Sequence, residues 1–302
     1  GLLLQSGLVL QRDGSGVGRE NSRAGNTRGE VVDRFRNRLM IPISRDTGSV
    51  IAFGGRAMDP DQVPKYLNSP ETPIYTKSRT LYGLHLSKAA VRKVGFAVIV
   101  EGYFDFAQVH QAQAAPVVAS CGTALTPAHA QLLRRFTTRV VLSFDPDSAG
   151  QGAAVRSCEL LVSEGFDVNV LVLDRGEDPD TFIRRHGADG YRARLKASRP
   201  YLEFLLDQAS VGVDFSQDEQ RRQFLGRMLT VAARIPDAAA RDQFADRIAF
   251  KARVTEEVVR AEIRRAAVQR RTEVTARELP QASGELKQAE KGLIWALVHN
   301  SR

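Results

Sequence analysis

The sequence has only two cysteines, Cys121 and Cys158, and no CxxC pair. That excludes a disulfide scaffold and points to a reducing, cytoplasmic setting. Its five histidines (His85, His110, His129, His186 and His299) are scattered, so no structural zinc site is expected within this chain. Each reads as a surface or helix residue. No apolar stretch approaches the ~18 residues of a membrane span. The opening stretch GLLLQSGLVLQRDG carries neither a basic leader nor a cleavage site, so no signal peptide is read there. With no initiating Met, the chain reads as a fragment. There is no internal repeat. What remains, 302 residues with 43% hydrophobic and 26% charged content, suits a globular protein of two domains with a sizeable core.

Charge is unevenly placed. The net +8 of the chain breaks down to +7 over residues 1–96, −2 over 97–197 and +3 over 198–302. A basic first third, directly before a segment of acidic balance, suits a polyanion such as nucleic acid or nucleotide phosphates. A merely solvated basic face accounts for it equally well until motifs are considered.

Residues 11–30 are rich in Gly, Ser, Asn and Arg without an apolar period and read as a mobile loop. Two β-like runs follow, DRFRNRLMIPI and SVIAFGGRAM, joined by the turn signal SRDTG. From there to Lys93 the chain is irregular. Strand and helix patterns then alternate: FAVIVEG, YFDFAQVHQAQ, PVVAS, TPAHAQLLRRF, RVVLSFD, SAGQGAAVRSCELLVSEG, DVNVLVLD and PDTFIRRHG. Thr126 and Pro127 mark a helix start, and Gly165 a helix end. Alternation of this kind predicts an α/β domain with a mostly parallel sheet, whose ligands bind beyond the carboxyl ends of its strands. The expected organisation is a basic α+β subdomain over 1–95, the α/β domain over 96–187, a helical subdomain over 188–271, and a linker with the start of another helix over 272–302.

The acids gather at one edge of that predicted sheet. Glu101 ends the first strand, Asp145 and Asp147 end the third, and Asp178 and Asp180 follow the fourth. Residues i and i+2 of a strand share a face, so Asp145 and Asp147 can reach one ion. Carboxylates brought together raise each other's pKa unless cations lie between them, and an oxygen-only set favours Mg²⁺ or Mn²⁺ over zinc. Taken alone, Asp147 before SAG is as good a helix N-cap as a ligand, and Asp178 before Pro179 reads equally as a cap or turn residue. Glu101 before Gly102 is harder to dismiss. SAGQGAA lacks the Gly-Lys-Ser/Thr ending of a phosphate loop and reads as a small-residue helix packed on the sheet.

VIVEG, FDPD and the sheet between them resemble the Toprim domain of topoisomerases, certain nucleases and bacterial primases. Outside that domain, DRFRNRLMIPI, IAFGGR, PKYLNSPETPIYTKSRTLYGL and GEDPDTFIRRHG together resemble the DnaG-type bacterial primase family, over nearly the whole chain. The resemblance implies synthesis of short RNA primers on single-stranded DNA during replication. In that reaction a ribonucleotide 3′-hydroxyl attacks the α-phosphate of an NTP and pyrophosphate leaves. It makes Glu101, Asp145 and Asp147 the central metal and catalytic carboxylates. Asp105, Asp178 and Asp180 complete the cluster, with two or more Mg²⁺ or Mn²⁺ ions expected. Arg56, Lys65, Asn68 and Lys77 match positions that contact single-stranded DNA or the NTP triphosphate. Arg34, Arg36 and Arg38 alternate along an expected strand and would extend that track on one face. Tyr66 stacks on a base or simply packs.

Other implied partners are NTPs, the RNA primer, the replicative helicase and a single-stranded DNA-binding protein. No membrane is expected. The core would be a monomer in the cytoplasm, at the nucleoid and replication fork. The family's zinc-binding domain has no counterpart in these residues, so zinc is expected only in an N-terminal domain outside this chain. The part of the polymerase core before Gly1 is expected to be missing. LKQAEKGLIWALVHN resembles the start of a helicase-binding domain. Pro146 stands where many members have Gly; it fixes φ and removes a donor, which a strand end tolerates. Two other classes stay open: a Toprim nuclease or topoisomerase-type enzyme using the same acids, and a fragment that only binds single-stranded DNA.

Overall fold

The computed structural model describes residues 1–11, 31–144, 148–174 and 176–266. The loop expected over 11–30 lies almost wholly outside these residues, as do Asp145, Pro146, Asp147 and the segment expected to begin a further domain. Cα packing divides the chain into two units, one of Gly1–Gly212 with Ile235–Ala238, the other of Val213–Arg234 with the residues from Ala239 onward.

The first unit starts with a short helix, α1 (Leu2–Gln5), and a ribbon of β1 (Val9–Gln11) and β2 (Val31–Asp33), paired antiparallel. A three-stranded antiparallel sheet follows: β3 (Arg38–Ser44), β4 (Val50–Ala57) and β5 (Tyr66–Asn68), in that order. The SRDTG turn connects β3 to β4 as expected, with Gly48 at φ 101°. The alternation expected for Arg34, Arg36 and Arg38 does not hold. A bend separates β2 from β3 over 34–37, with Asn37 at φ 50°, so only Arg38 lies on a strand. Period-two alternation requires continuous extended backbone, and a left-handed residue breaks it. A second departure is α2 (Leu84–Val94), which begins after Gly83 at φ 75° inside the stretch read as irregular. It buries Leu84 and Val91, one heptad apart on one face, and Gly95 ends it in the left-handed region.

The α/β layer has strand order β10-β9-β8-β6-β7. Its four longer members, β6 (Ala97–Val100), β7 (Val117–Ala119), β8 (Arg139–Phe144) and β9 (Asp167–Val172), run parallel as expected. Every residue of β6 and β7 is buried, which is why both read as unbroken apolar runs. The helices α3 (Tyr103–Gln111) and α6 (Pro179–Lys196) pack on each other, as do α4 (Pro127–Arg134) and α5 (Ser148–Ser163). Thr126 caps α4: its hydroxyl accepts from the His129 N–H at 3.2 Å, while the Thr126 N–H donates to His129 Nδ1 at 3.3 Å. The α6 helix kinks at Gly187 (φ 71°). The wholly helical reading from Ala188 misses β10 (Arg199–Pro200), a two-residue antiparallel strand at the edge beside β9, ahead of α7 (Tyr201–Ser210).

Strand order decides where a site can form. From β6 the chain moves to β7 on one side and then returns to β8 on the other, so the carboxyl ends of β6 and β8 flank a topological switch point. Ile99 lies opposite Leu142. Glu101, two residues on, is therefore level with the end of β8 at Phe144.

The second unit is helical. It holds α8 (Asp218–Ala232), most of α9 (Ala238–Ala252) and a helical stretch over 256–266. Phe224, Met228, Phe244 and Ile248 are buried in it, and Phe215 meets Phe224 edge-on at 5.1 Å.

Candidate active site

At the acidic edge two described turns carry acids, the one after β6 and the one before α6. Glu101, exposed, leaves β6 and is followed by Gly102, the N-cap of α3. Asp105 turns back: Oδ2 accepts from the Gly102 N–H at 3.0 Å, and Oδ1 from the Asp180 N–H at 3.4 Å. One half-buried carboxylate thereby ties the N-terminus of α3 to that of α6, where helix dipoles favour negative charge. Burial is the main reason that the Asp105 carboxyl titrates high, at about 6, and the negative charge of Asp178 adds to it. The two backbone donors pull the other way. A cation beside Asp105 would stabilise its ionised form.

Asp178 is the N-cap of α6. Its Oδ1 accepts from the Thr181 N–H at 2.8 Å and from the Thr181 hydroxyl at 2.7 Å. Asp180 accepts from Arg184 Nε at 2.7 Å. The cap reading of Asp178 is thus realised, with one oxygen engaged. Among the described residues no three metal-ligating side chains converge. Asp145 and Asp147, the two acids expected at the end of β8, lie outside them.

Arg56 reaches this edge over Phe104 of α3. Arg56 on β4 faces Tyr66 on β5 directly and donates to its hydroxyl at 2.5 Å. The Arg56 guanidinium lies 4.8 Å from the Tyr66 ring centroid and 5.4 Å from that of Phe104 on α3. Tyr66 therefore packs with Arg56 and sits 6.2 Å from Tyr103. Burial raises the Tyr66 hydroxyl pKa; the charge of Arg56 opposes this, and the charges of Asp105 and Asp180 add to it.

Asn68 is enclosed. Its Oδ1 accepts from the Tyr103 hydroxyl at 2.8 Å, and its Nδ2 donates to the Cys121 carbonyl at 3.0 Å. Its own carbonyl accepts from the Arg34 guanidinium at 3.0 Å, and burial lowers the pKa of Arg34. Arg38 donates to the Gly55 carbonyl at 3.3 Å, whereas Arg36 contributes its carbonyl to Gln62 at 2.9 Å. The expected track of three arginines is not formed: Arg34 and Arg38 bind backbone at separate places. Lys65 is exposed. Lys77 opens a short 3₁₀ turn, its N–H bound to Glu71 and its carbonyl to His129.

Sequence reasoning missed Tyr103 and Glu177. The glycines of IAFGGR carry a trace of the first, because a Cβ on Gly54 would stand 2.7 Å from the Tyr103 ring. Glu177 is buried and paired with Arg185, and its GEDPD context marked only the neighbouring aspartates.

Comparison with known proteins places these features. Residues 17–88 match the N-terminal domain of the DNA primase catalytic core, residues 98–183 the Toprim-like family, and residues 202–257 the DnaB-helicase binding domain of primase. The chain is 34% identical over 258 residues to a DNA primase of Clostridium acetobutylicum, covering 85% of this chain and 40% of that protein. It is 39% identical over 233 residues to one of Myxococcus xanthus, covering 77% and 36%. The chain thus spans about 40% of the length of these curated relatives, or less. Among solved structures, a DNA primase domain from Pseudomonas aeruginosa is similar at TM-score 0.76 and 32% identity, over 88% of this chain and 78% of that one. A DnaG primase catalytic domain bound to ssDNA is similar at TM-score 0.74 and 32% identity, over 84% and 76%.

Proposed function

This chain belongs to the DnaG-type bacterial primase family, and from that premise we propose that it is a primase catalytic core, making short RNA primers on single-stranded DNA. One observation carries the reading: Tyr103–Asn68 joins β5, the partner strand of Arg56 on β4, to the turn after β6 that carries Glu101, at the switch point of the Toprim sheet. The reaction is attack of a ribonucleotide 3′-hydroxyl on the α-phosphate of an NTP, with pyrophosphate leaving. Glu101, Asp145 and Asp147 are the central carboxylates, with Asp105, Asp178 and Asp180 around them. The donor set is carboxylate oxygen throughout, which fits Mg²⁺ or Mn²⁺, two or more ions, and disfavours zinc. Bound there, such ions lower the pKa of the attacking hydroxyl and neutralise triphosphate charge.

The chain's own residues bind and orient. Arg56 and Lys65, on and beside β4 and β5, take phosphate oxygens of template or NTP, and Lys77 extends that surface. Arg56 is held over Tyr66 and Phe104, so its guanidinium is oriented before any phosphate arrives. Asn68 acts by holding Tyr103, and with it the turn that carries Glu101. Arg34 supports Asn68 from behind.

Single-stranded DNA as the template is supported by the similar DnaG domain bound to ssDNA. The helicase-binding match over 202–257 supports a replicative helicase as partner. Work at the replication fork fits a chain in which no described helix is long and apolar enough to cross a membrane. The similar proteins are named DNA primase, which favours nucleotide incorporation over strand cleavage or relaxation. Incubating the chain with single-stranded DNA, labelled NTPs and Mg²⁺ or Mn²⁺ tests the proposal. Labelled oligoribonucleotides support it; DNA cleavage without incorporation contradicts it.

A further inference from the structure

The loop before α6 is fastened in a way that the acids alone do not require. Asp174 pairs with Arg194 at 2.7 Å, and Glu177 pairs with Arg185 at 2.5 Å, with His186 Nε2 at 3.7 Å. Arg185 and His186 precede the kink at Gly187 and Arg194 follows it, so the loop is stapled to both halves of the helix. The Glu177 side chain is only 7% exposed, while Arg185 is 68% exposed. Its Oε2 is buried and finds no hydrogen-bond partner among the described residues. As a stabilising device this is poor, since a buried carboxylate with one exposed counter-ion recovers little of its desolvation cost.

What the pair does supply is position. Glu177 immediately precedes Asp178, whose side chain closes the α6 cap on Thr181. Two residues further, the Asp180 N–H holds Asp105. Fixing residue 177 against the second turn of α6 therefore fixes the backbone from which Asp178 and Asp180 project, and with it the far end of the Asp105 bridge. We propose that Glu177, through its buried pair with Arg185, is a positioning residue that sets how strongly the carboxylates of Asp105, Asp178 and Asp180 contribute to divalent-cation affinity. The inference rests on the metal reading above and adds a residue to which that reading gives no role.

The test is Mn²⁺ binding to the whole chain, followed by electron paramagnetic resonance of the free ion, beside thermal unfolding and single-stranded DNA affinity. Outer residues that orient metal ligands typically contribute about 10–100-fold in affinity. Glu177→Gln keeps the shape and removes the charge that grips Arg185. It is expected to bind Mn²⁺ about tenfold more weakly, with DNA affinity unchanged. Unchanged Mn²⁺ affinity with only a lower unfolding temperature overturns the proposal. Should Glu177→Gln not fold, Arg185→Ala removes the same pair from its exposed side, and unchanged Mn²⁺ affinity there overturns it equally. If the unmodified chain binds no Mn²⁺, the metal reading itself fails and this inference falls with it.

Discussion

The Tyr103 hydroxyl donates to Asn68 Oδ1 at 2.8 Å, across 35 positions of sequence, and so couples the first residue of α3, two after Glu101, to β5, the strand paired with Arg56 on β4. Tyr103 is buried, and Asn68 is held from its other side by the Cys121 carbonyl. Tyr103→Phe removes the donor and strands a half-buried acceptor, which costs about 1–3 kcal/mol. Urea unfolding should show that loss, and primer synthesis should fall with it. A variant as stable and active as the parent would remove this coupling from the account.

Gly54→Ala addresses the same contact from the strand. The added methyl would meet the Tyr103 ring at 2.7 Å, and overpacking of this kind costs about 1–3 kcal/mol. In a Tyr103→Ala background the ring is gone, so the Gly54 substitution should cost almost nothing. A double-mutant cycle by chemical denaturation reads the difference, and additivity would count against the packing argument.

His129 predicts a pH dependence of stability. Its Nδ1 accepts from the Thr126 N–H, so Nε2 carries the proton and donates to the Lys77 carbonyl at 2.8 Å. Burial, the largest cause, lowers its pKa below 6.5. As pH falls through 6.5, the unfolded chain therefore takes up a proton that the folded chain refuses. Stability contributed by the neutral ring is complete above pH 6.5 and is lost progressively down to the folded pKa. The melting temperature should drop on acidification below that point. His85 is shifted in the same direction, so His129→Gln should shallow the slope without removing it.

Lys65 is exposed, and its role is read as phosphate contact. Lys65→Ala should weaken single-stranded DNA binding most at low salt and reduce the slope of log affinity against log salt by about 0.7, the single-strand value for one phosphate contact. Fluorescence anisotropy over a salt series measures this. A parallel downward shift with unchanged slope would mean that Lys65 touches no phosphate.

The parallel sheet was legible because its evidence is local. AVIV and VVA are strands covered on both faces, and Thr126-Pro127 ahead of an amphipathic run is a local helix-start signal. Strand ends likewise mark where Glu101 leaves β6 and where Asp178 caps α6, while the Asp105 side chain that reaches the Asp180 N–H is a contact no local pattern announces. Features that depend on distant partners were not legible. Asn68 reads in sequence as a polar contact residue, yet Tyr103 and Cys121 occupy its amide. Arg34, Arg36 and Arg38 satisfy a period-two pattern that one left-handed residue, Asn37, breaks. Glu177 looks like one more acid in an acidic loop until its burial against α6 is seen. Two-residue β10 carries too little pattern to register at all.

The proposed function divides the work between an acidic edge for metal and a basic surface, Arg56 and Lys65, for nucleic acid. Asp145→Ala tests it most directly, with Mn²⁺-dependent NTP binding and single-stranded DNA affinity measured on the same preparation. Metal-dependent NTP binding should be lost while DNA affinity is retained. Equal loss of both, or NTP binding that still requires Mn²⁺, would contradict it.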